Sequence, residues 1–263
     1  MKPLITLLTD LGLQDSYVAE MKAVALSICP DVNLVDITHR VEKFNIRMGA
    51  FILASATPYF PPRTIHLAVV DPGVGSDRRP IAIETNRSLY VGPDNGLLVP
   101  AAAAEEIQHV YELTNHSLMR TPVSSTFQGR DIFSPVAANL ALGLQPKEVG
   151  REIMDYAKLS FAAAKHEGKG FVCEVLHIDE FGNVITNIPR KDLSKLDGHV
   201  RLVVRTRGKR LPVRIVRTFS DLRKRELGIL VGSHGTLEIA SPEASAAKKI
   251  GVRIGDALRV GGV

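Results

Sequence analysis

Cysteine is scarce: only Cys29 and Cys173 occur, too few for a disulfide framework. Cys29 sits in an apolar run before Pro30 and Cys173 in a strand-like run, so both are expected as buried free thiols, with no zinc site. Long hydrophobic runs are missing too, since Ile65 to Val70 and Phe133 to Leu144 are too short or too interrupted to cross a bilayer. The start passes from Met1-Lys2-Pro3 directly into Leu4 to Leu8 and then Thr9-Asp10, without a signal peptide's apolar centre and cleavage site, which predicts a cytoplasmic protein with no membrane partner. Neither G-x-G-x-x-G after the first strand nor a G-K-[ST] ending appears, which disfavours the usual dinucleotide and triphosphate modes.

What is present is ordinary for a globular chain: 45% hydrophobic and 23% charged residues in a length of 263, enough for one large domain or two modest ones. Most of the formal charge of +5 gathers in Arg205, Arg207, Lys209, Arg210, Arg214, Arg217, Arg223 and Lys224, between Arg201 and Arg225. A nucleic-acid platform would want more rings than Phe219 among them. Leu211, Val213 and Ile215 alternate with Pro212, Arg214 and Val216, so a hairpin with a solvated basic face is expected, and no nucleic-acid partner. An RNA-binding barrel, the rival reading, would show strongly salt-dependent affinity.

The first half alternates strand-like and helix-like segments. Leu4 to Leu8 is followed by Ser16 to Ile28 with one apolar face through Val18, Met21, Ala25 and Ile28, then by Val32 to Ile37. Asn45 to Tyr59 and the apolar run Ile65 to Val70 repeat the pattern, shorter strands follow at Ile81 to Glu84 and Leu89 to Val91, and a last helix is expected from Asp131 to Leu142. The second half carries short alternating strands from Phe171 onward, several separated by turn glycines at Gly182, Gly208, Gly235 and Gly255. These patterns predict an α/β N-terminal domain over 1–158, with a mostly parallel central sheet flanked by helices. A linker over 159–170 and a C-terminal antiparallel β-barrel domain, or a sandwich, over 171–263 complete the expected order.

Ligands of open α/β sheets gather at the carboxyl ends of strands. Polar residues follow apolar runs there at Thr9-Asp10-Leu11-Gly12, at Asp71-Pro72-Gly73-Val74-Gly75-Ser76-Asp77-Arg78 and at Asp94-Asn95-Gly96. A carboxylate at a strand tip accepts ribose hydroxyls but repels phosphate, so Asp10 and Asp71 suit a nucleoside without phosphate. Taken singly, each has a plainer reading: Asp10 as a helix cap, Asp71-Pro72-Gly73 as a tight turn, Arg78 as a surface charge.

Together the blocks resemble the SAM hydroxide adenosyltransferase family, the (R)-S-adenosylmethionine hydrolases, relatives of fluorinating and chlorinating enzymes that act on S-adenosylmethionine (SAM). The resemblance rests on Thr9 to Gly12 with Asp15 and Met21-Lys22, on Asp36-Ile37-Thr38-His39, Val70 to Gly75 and Gly92 to Gly96. It continues through Thr126-Phe127-Gln128-Gly129-Arg130-Asp131, Ile178 to Asn183 with Thr186-Asn187, and Gly232-Ser233-His234-Gly235 with Leu237-Glu238. It implies hydrolysis of SAM to adenosine and methionine by water attacking ribose C5′, with SAM as substrate, no further cofactor and no metal. It also implies a homotrimer with SAM between neighbouring subunits. Asp10 would bind ribose hydroxyls, Phe44 would flank sugar and base, and Asn183 would read adenine. Asp179, Ser233 and Glu238 would help hold adenine or methionine, with Phe181 in the same binding set.

The family's Asp, Arg, His set around the attacking water corresponds to Asp71, Arg78 and position 128, where this chain has Gln128. An amide cannot take a proton as imidazole can, so Gln128 is expected only to orient water or substrate. Two alternatives accompany this departure: a non-catalytic SAM- or adenosine-binding protein, and halide-dependent adenosyl transfer.

Overall fold

The computed structural model describes residues 2–196, 202–206 and 208–262. The chain divides into two compact units, 1–160 and 161–263.

The first unit is built on β1 (Leu4–Thr9), which is buried along almost its whole length. Such a strand has no face to give to water, so it reads as a continuous apolar run. From β1 the chain passes through α1 (Tyr17–Ile28) to β2 (Asn33–Thr38), then through α2 (Ile46–Ala56) to β3 (Ile65–Val69). β2 and β3 both pair parallel to β1, on opposite sides of it. Strand order therefore reverses between β1 and β3, which opens a crevice at their carboxyl ends. Alternation along β1 feeds both faces: Ile5 and Leu7 join a core with residues of α1 and of α4 (Ser134–Ala141), while Leu8 faces Gly49 of α2.

β4 (Pro80–Thr85), β5 (Leu89–Pro93), β6 (Ile107–Leu113) and β7 (Gly150–Glu152) extend the sheet to the order β2-β1-β3-β5-β4-β6-β7, with α3 (Val99–Ala104) between β5 and β6. β5 runs parallel to β3, and the β5–β4, β4–β6 and β6–β7 pairs are antiparallel. α3, β6 and β7 have no counterpart in the sequence reading. The alanine run 101–104 carries no amphipathic period, and β7 is too short to show one.

The second unit contains β8 (Lys165–Glu167), β9 (Gly170–Ile178), β10 (Val184–Pro189), β11 (Leu202–Thr206), β12 (Lys209–Ile215), β13 (Gly228–Val231), β14 (Thr236–Ala240), α5 (Ala246–Ile250) and β15 (Ala257–Gly262). Seven strands close into a barrel, because the long β9 pairs with β15 through its first half and with β10 through its second. Phe171, Cys173, Val175, Ile229, Ile239 and Leu258 are among the side chains in its core. The ladders are antiparallel except β12–β13, which is parallel because 216–227 carries the chain back before β13 begins. The span 159–170 includes β8, paired to β9.

Described members of the basic stretch, Arg205, Lys209, Arg210, Arg214, Arg217, Arg223 and Lys224, are exposed, and Arg214 and Lys224 pair with Glu226 and Glu243. Val200, Arg201 and Arg207 lie outside the described residues. Cys29 and Cys173 are buried and free, and burial pushes the Cys173 thiol up to about 12, where it is inert. Among the described residues, no helix is long and apolar enough to cross a membrane. Leu7→Ala, at a site 1% exposed in the sheet core, is expected to cost about 2–5 kcal/mol, read as a lowered chemical-denaturation midpoint.

Candidate functional site

Thr9 of β1 pairs with Val69 of β3, so Asp10 and Asp71 emerge just beyond neighbouring strand ends, in the crevice where strand order reverses. From Asp71 the chain loops out and returns with Arg78, whose Nη2 donates to Asp71 Oδ2 at 2.6 Å and to Gln128 Oε1 at 2.5 Å. Gly75, at φ +80°, lets this loop lie against the strand of chain that leads to Gln128; a Cβ there would stand 2.7 Å from the Ser125 carbonyl. The Arg78 and Asp71 side chains are only 7% and 5% exposed. The guanidinium carbon also lies 5.5 Å from the centre of the Phe133 ring.

This ion pair is incompletely satisfied. Asp71 Oδ1 and Arg78 Nε and Nη1 are buried and find no hydrogen-bond partner among the described residues. Burial raises the Asp71 pKa above the ordinary carboxylate value, and the Arg78 charge and hydrogen bond offset only part of that rise. Stranded donors and an acceptor beside a perturbed carboxylate in a crevice mark a place built for a polar reactant.

Gln128 precedes a π-helical turn, Gly129–Phe133, that leads into α4; such turns occur frequently at functional sites. Arg130 braces it through Asp131 at 2.8 and 3.0 Å and through Glu20 at 2.8 Å, and Asp131 accepts the Ser124 N–H at 2.9 Å. The Arg130 hydrogen bond leads the causes that hold the Asp131 carboxyl below its usual range, against the opposing effect of burial.

Asp10 is buried, and its Oδ2 accepts the Phe44 N–H at 2.8 Å while Lys43 Nζ donates to its carbonyl. Phe44, at φ +66°, is 67% exposed. Behind Asp10 runs a polar chain that the sequence reading left without a role. Thr9 Oγ1 accepts Leu11 N–H at 3.2 Å and lies 2.8 Å from His39 Nδ1; His39 Nε2 is 3.0 Å from Asp36 Oδ1, and Lys22 Nζ is 2.6 Å from Asp36 Oδ2.

In the second unit, Asp179 folds the loop after β9: its Oδ1 accepts Asn183 N–H at 2.8 Å and its Oδ2 accepts Asn183 Nδ2 at 2.9 Å. Phe181 at the loop tip is 82% exposed. Glu238 of β14 is buried, and burial together with the Asp179 charge raises its pKa. Ser233 is exposed between β13 and β14. The structure thus joins Asp71, Arg78 and Gln128 by direct hydrogen bonds and sets Asp10 against Phe44. Asp179 and Asn183 are bonded in the other unit, while Phe181 and Ser233 stay in loops there.

The N-terminal domain model of the SAM hydroxide adenosyltransferases matches residues 5–150, and the C-terminal domain model of the same family matches 173–259. The chain belongs to the SAM hydroxide adenosyltransferase family. A Salinispora tropica protein named (R)-S-adenosyl-L-methionine hydrolase is 42% identical over 98% of this chain and 97% of its own length. A Nocardia brasiliensis protein named fluorinase is 29% identical over 98% and 97%. The crystal structure of a conserved Thermotoga maritima protein superposes with a TM-score of 0.92 at 37% identity, over 97% of this chain and 99% of that one.

Lys22, Asp36 and His39 lie in blocks that carried the resemblance, and that was the available signal for them; Lys43 offered none. Asp131→Asn is expected to destabilise the protein at pH 7. Because the Asp131 pKa is depressed in the folded state, its contribution is present above the ordinary carboxylate value of 3.8 and fades as pH falls through the lower folded value. The stability gap between wild type and variant, followed by thermal melts across pH, closes over that acidic window; a gap independent of pH would contradict the role given to the carboxylate.

Proposed function

We propose that the chain hydrolyses S-adenosyl-L-methionine, in its (R)-sulfonium form, to adenosine and L-methionine. The observation that carries this reading is the buried Asp71–Arg78 pair with one acceptor and two donors stranded, joined to Gln128 in the crevice that also receives Asp10.

Water held by Asp71 Oδ1 and the free Arg78 donors attacks ribose C5′ in line with the departing sulfur. The C5′–S bond pair stays on sulfur, so the sulfonium leaves as the neutral thioether of methionine and needs no acid. The new C5′–O bond becomes the 5′-hydroxyl of adenosine, and the water's spare proton passes to Asp71 and then to solvent. No further cofactor enters this balance. Arg78 stabilises the oxygen as it gains negative character, in a site where burial strengthens the interaction.

Gln128 has a defined part. Arg78 only donates, so the Gln128 atom it meets is the oxygen, and the amide nitrogen is left as a donor toward the reactants. Asp71 is then the proton acceptor of the trio. Asp10, with Phe44 beside it, receives the ribose hydroxyls. The Asp179, Phe181, Asn183, Ser233 and Glu238 set binds adenine and methionine, from a neighbouring subunit of a homotrimer. A carboxylate at the centre disfavours a halide nucleophile, and the retained pair disfavours a mere binding protein.

Incubating the protein with racemised SAM in H2¹⁸O is expected to yield adenosine and methionine in equal amounts, with the label in the 5′-hydroxyl. Label elsewhere, or SAM binding without product, would overturn the reading. Asp71→Ala is expected to lower kcat by about 10²- to 10⁴-fold and Arg78→Ala by about 10²- to 10³-fold. Because Asp71 must be ionised and burial raises its pKa, turnover is expected to fall with acid above the ordinary carboxylate value of 3.8. A pH–rate profile flat through that region removes Asp71 from the role.

A further inference from the structure

The loop that carries the Asp71–Arg78 pair begins at Val70 and ends at Arg79, and a single turn grips both ends. That turn follows β5 and contains Asp94 and Asn95. Asn95 Nδ2 donates to the Val70 carbonyl at 2.9 Å, and Asn95 Oδ1 accepts the Leu97 N–H at 3.1 Å. Val70 is fully buried and lies beyond the end of β3, so without Asn95 this carbonyl would lose a buried donor. At the other end, Asp94 N–H donates to the Arg79 carbonyl at 2.9 Å, and Asp94 Oδ2 accepts from Arg79 Nε at 3.1 Å and Nη2 at 2.8 Å.

The turn is itself fixed. Asp94 Oδ1 accepts the Ala157 N–H at 2.7 Å, and Arg79 Nη1 donates to Asp155 Oδ1 at 3.0 Å. Gly96, at φ +91°, allows the turn to meet Leu159, whose Cβ would stand 2.8 Å from a Cβ at position 96.

We propose that Asn95 and Asp94 are positioning residues for the hydrolytic pair, setting the separation of Asp71 and Arg78 by holding the residues just before one and just after the other. The proposal rests on the reading of that pair as the holder of the attacking water. Neither side chain touches the reactants. Their effect reaches the chemistry because in-line attack depends steeply on where the oxygen is held, and a displacement of about 1 Å from a remote change can cost about 10²-fold in rate.

Asn95→Asp tests it with little change in shape. The carboxylate still accepts from Leu97 but has no donor for Val70 and repels its carbonyl. In the full-length protein, hydrogen exchange is expected to accelerate across 71–78 while β1 keeps its protection. kcat for adenosine release is expected to fall by about 10²-fold with KM unchanged. Should Asn95→Asp fail to fold, Asp94→Asn, whose single amide oxygen cannot accept from both Ala157 N–H and the Arg79 guanidinium, is expected to show the same pattern. Wild-type exchange across 71–78 in the folded variant overturns the clamp whatever the activity. A loosened loop with wild-type kcat overturns its link to catalysis. If wild type itself releases no adenosine, the hydrolase reading fails, while the exchange result still decides whether the clamp exists.

Discussion

Asp71 and Arg78 hold opposite charges 2.6 Å apart where almost no solvent reaches either side chain, and the surroundings of the first unit are arranged around keeping them there. A buried ion pair is weak as a source of stability, because desolvation offsets most of the attraction unless every remaining donor and acceptor is paired. Here three are left unpaired, so the pair carries a cost that the rest of the unit must cover. The cover comes from strands buried on both faces, from the braced π-helical turn that presents Gln128, and from the ring of Phe133 against the guanidinium. The raised pKa of Asp71 expresses the same conflict: its charge is less welcome in this place than in water, which makes it a better proton acceptor.

The reversal of strand order gives this pair its neighbours. Because β2 and β3 leave β1 on opposite sides, the loops after β1 and β3 are the two that border the crevice, and each begins with a carboxylate. Asp10 is held from behind by backbone and by the Thr9–His39–Asp36–Lys22 chain, so two acids share one crevice with different duties. One accepts a hydrogen bond from the Phe44 N–H; the other is tied to a cation. The Asp10 charge also adds to the rise in the Asp71 pKa.

Much of this architecture was legible in the sequence because its signals are local. Apolar runs at Leu4 to Leu8 and Ile65 to Val70 announced strands, the second as one buried on both faces, and the carboxylates at their ends announced the crevice. The barrel strands showed through alternation and turn glycines. What stayed hidden depends on distant pairing. The antiparallel half of the first sheet, the closure of the barrel through β9, and the parallel β12–β13 pair are facts of register rather than composition. Physical reading alone stopped near a ligand-binding α/β enzyme, and the resemblance supplied the chemistry. It did not supply the bond between Arg78 and Gln128, which joins residues fifty positions apart.

That bond changes what the substitution at position 128 means. An imidazole there could share a proton with the attacking water; an amide whose oxygen is already committed to Arg78 offers only N–H donors. In the proposed reaction, proton acceptance would then fall to Asp71, whose unbonded Oδ1 and raised pKa both suit it to the task. Arg78 Nη2 is shared between Asp71 and Gln128, and the N–H groups of Nε and Nη1 stay buried and unbonded. In the proposed reaction the trio would divide the labour: one acceptor, one cation, and one neutral group bonded to the cation. Such a division tolerates an amide in place of an imidazole only while Asp71 and Arg78 keep their spacing, so the demand on the loop between them is greater in this chain than where a histidine shares the proton.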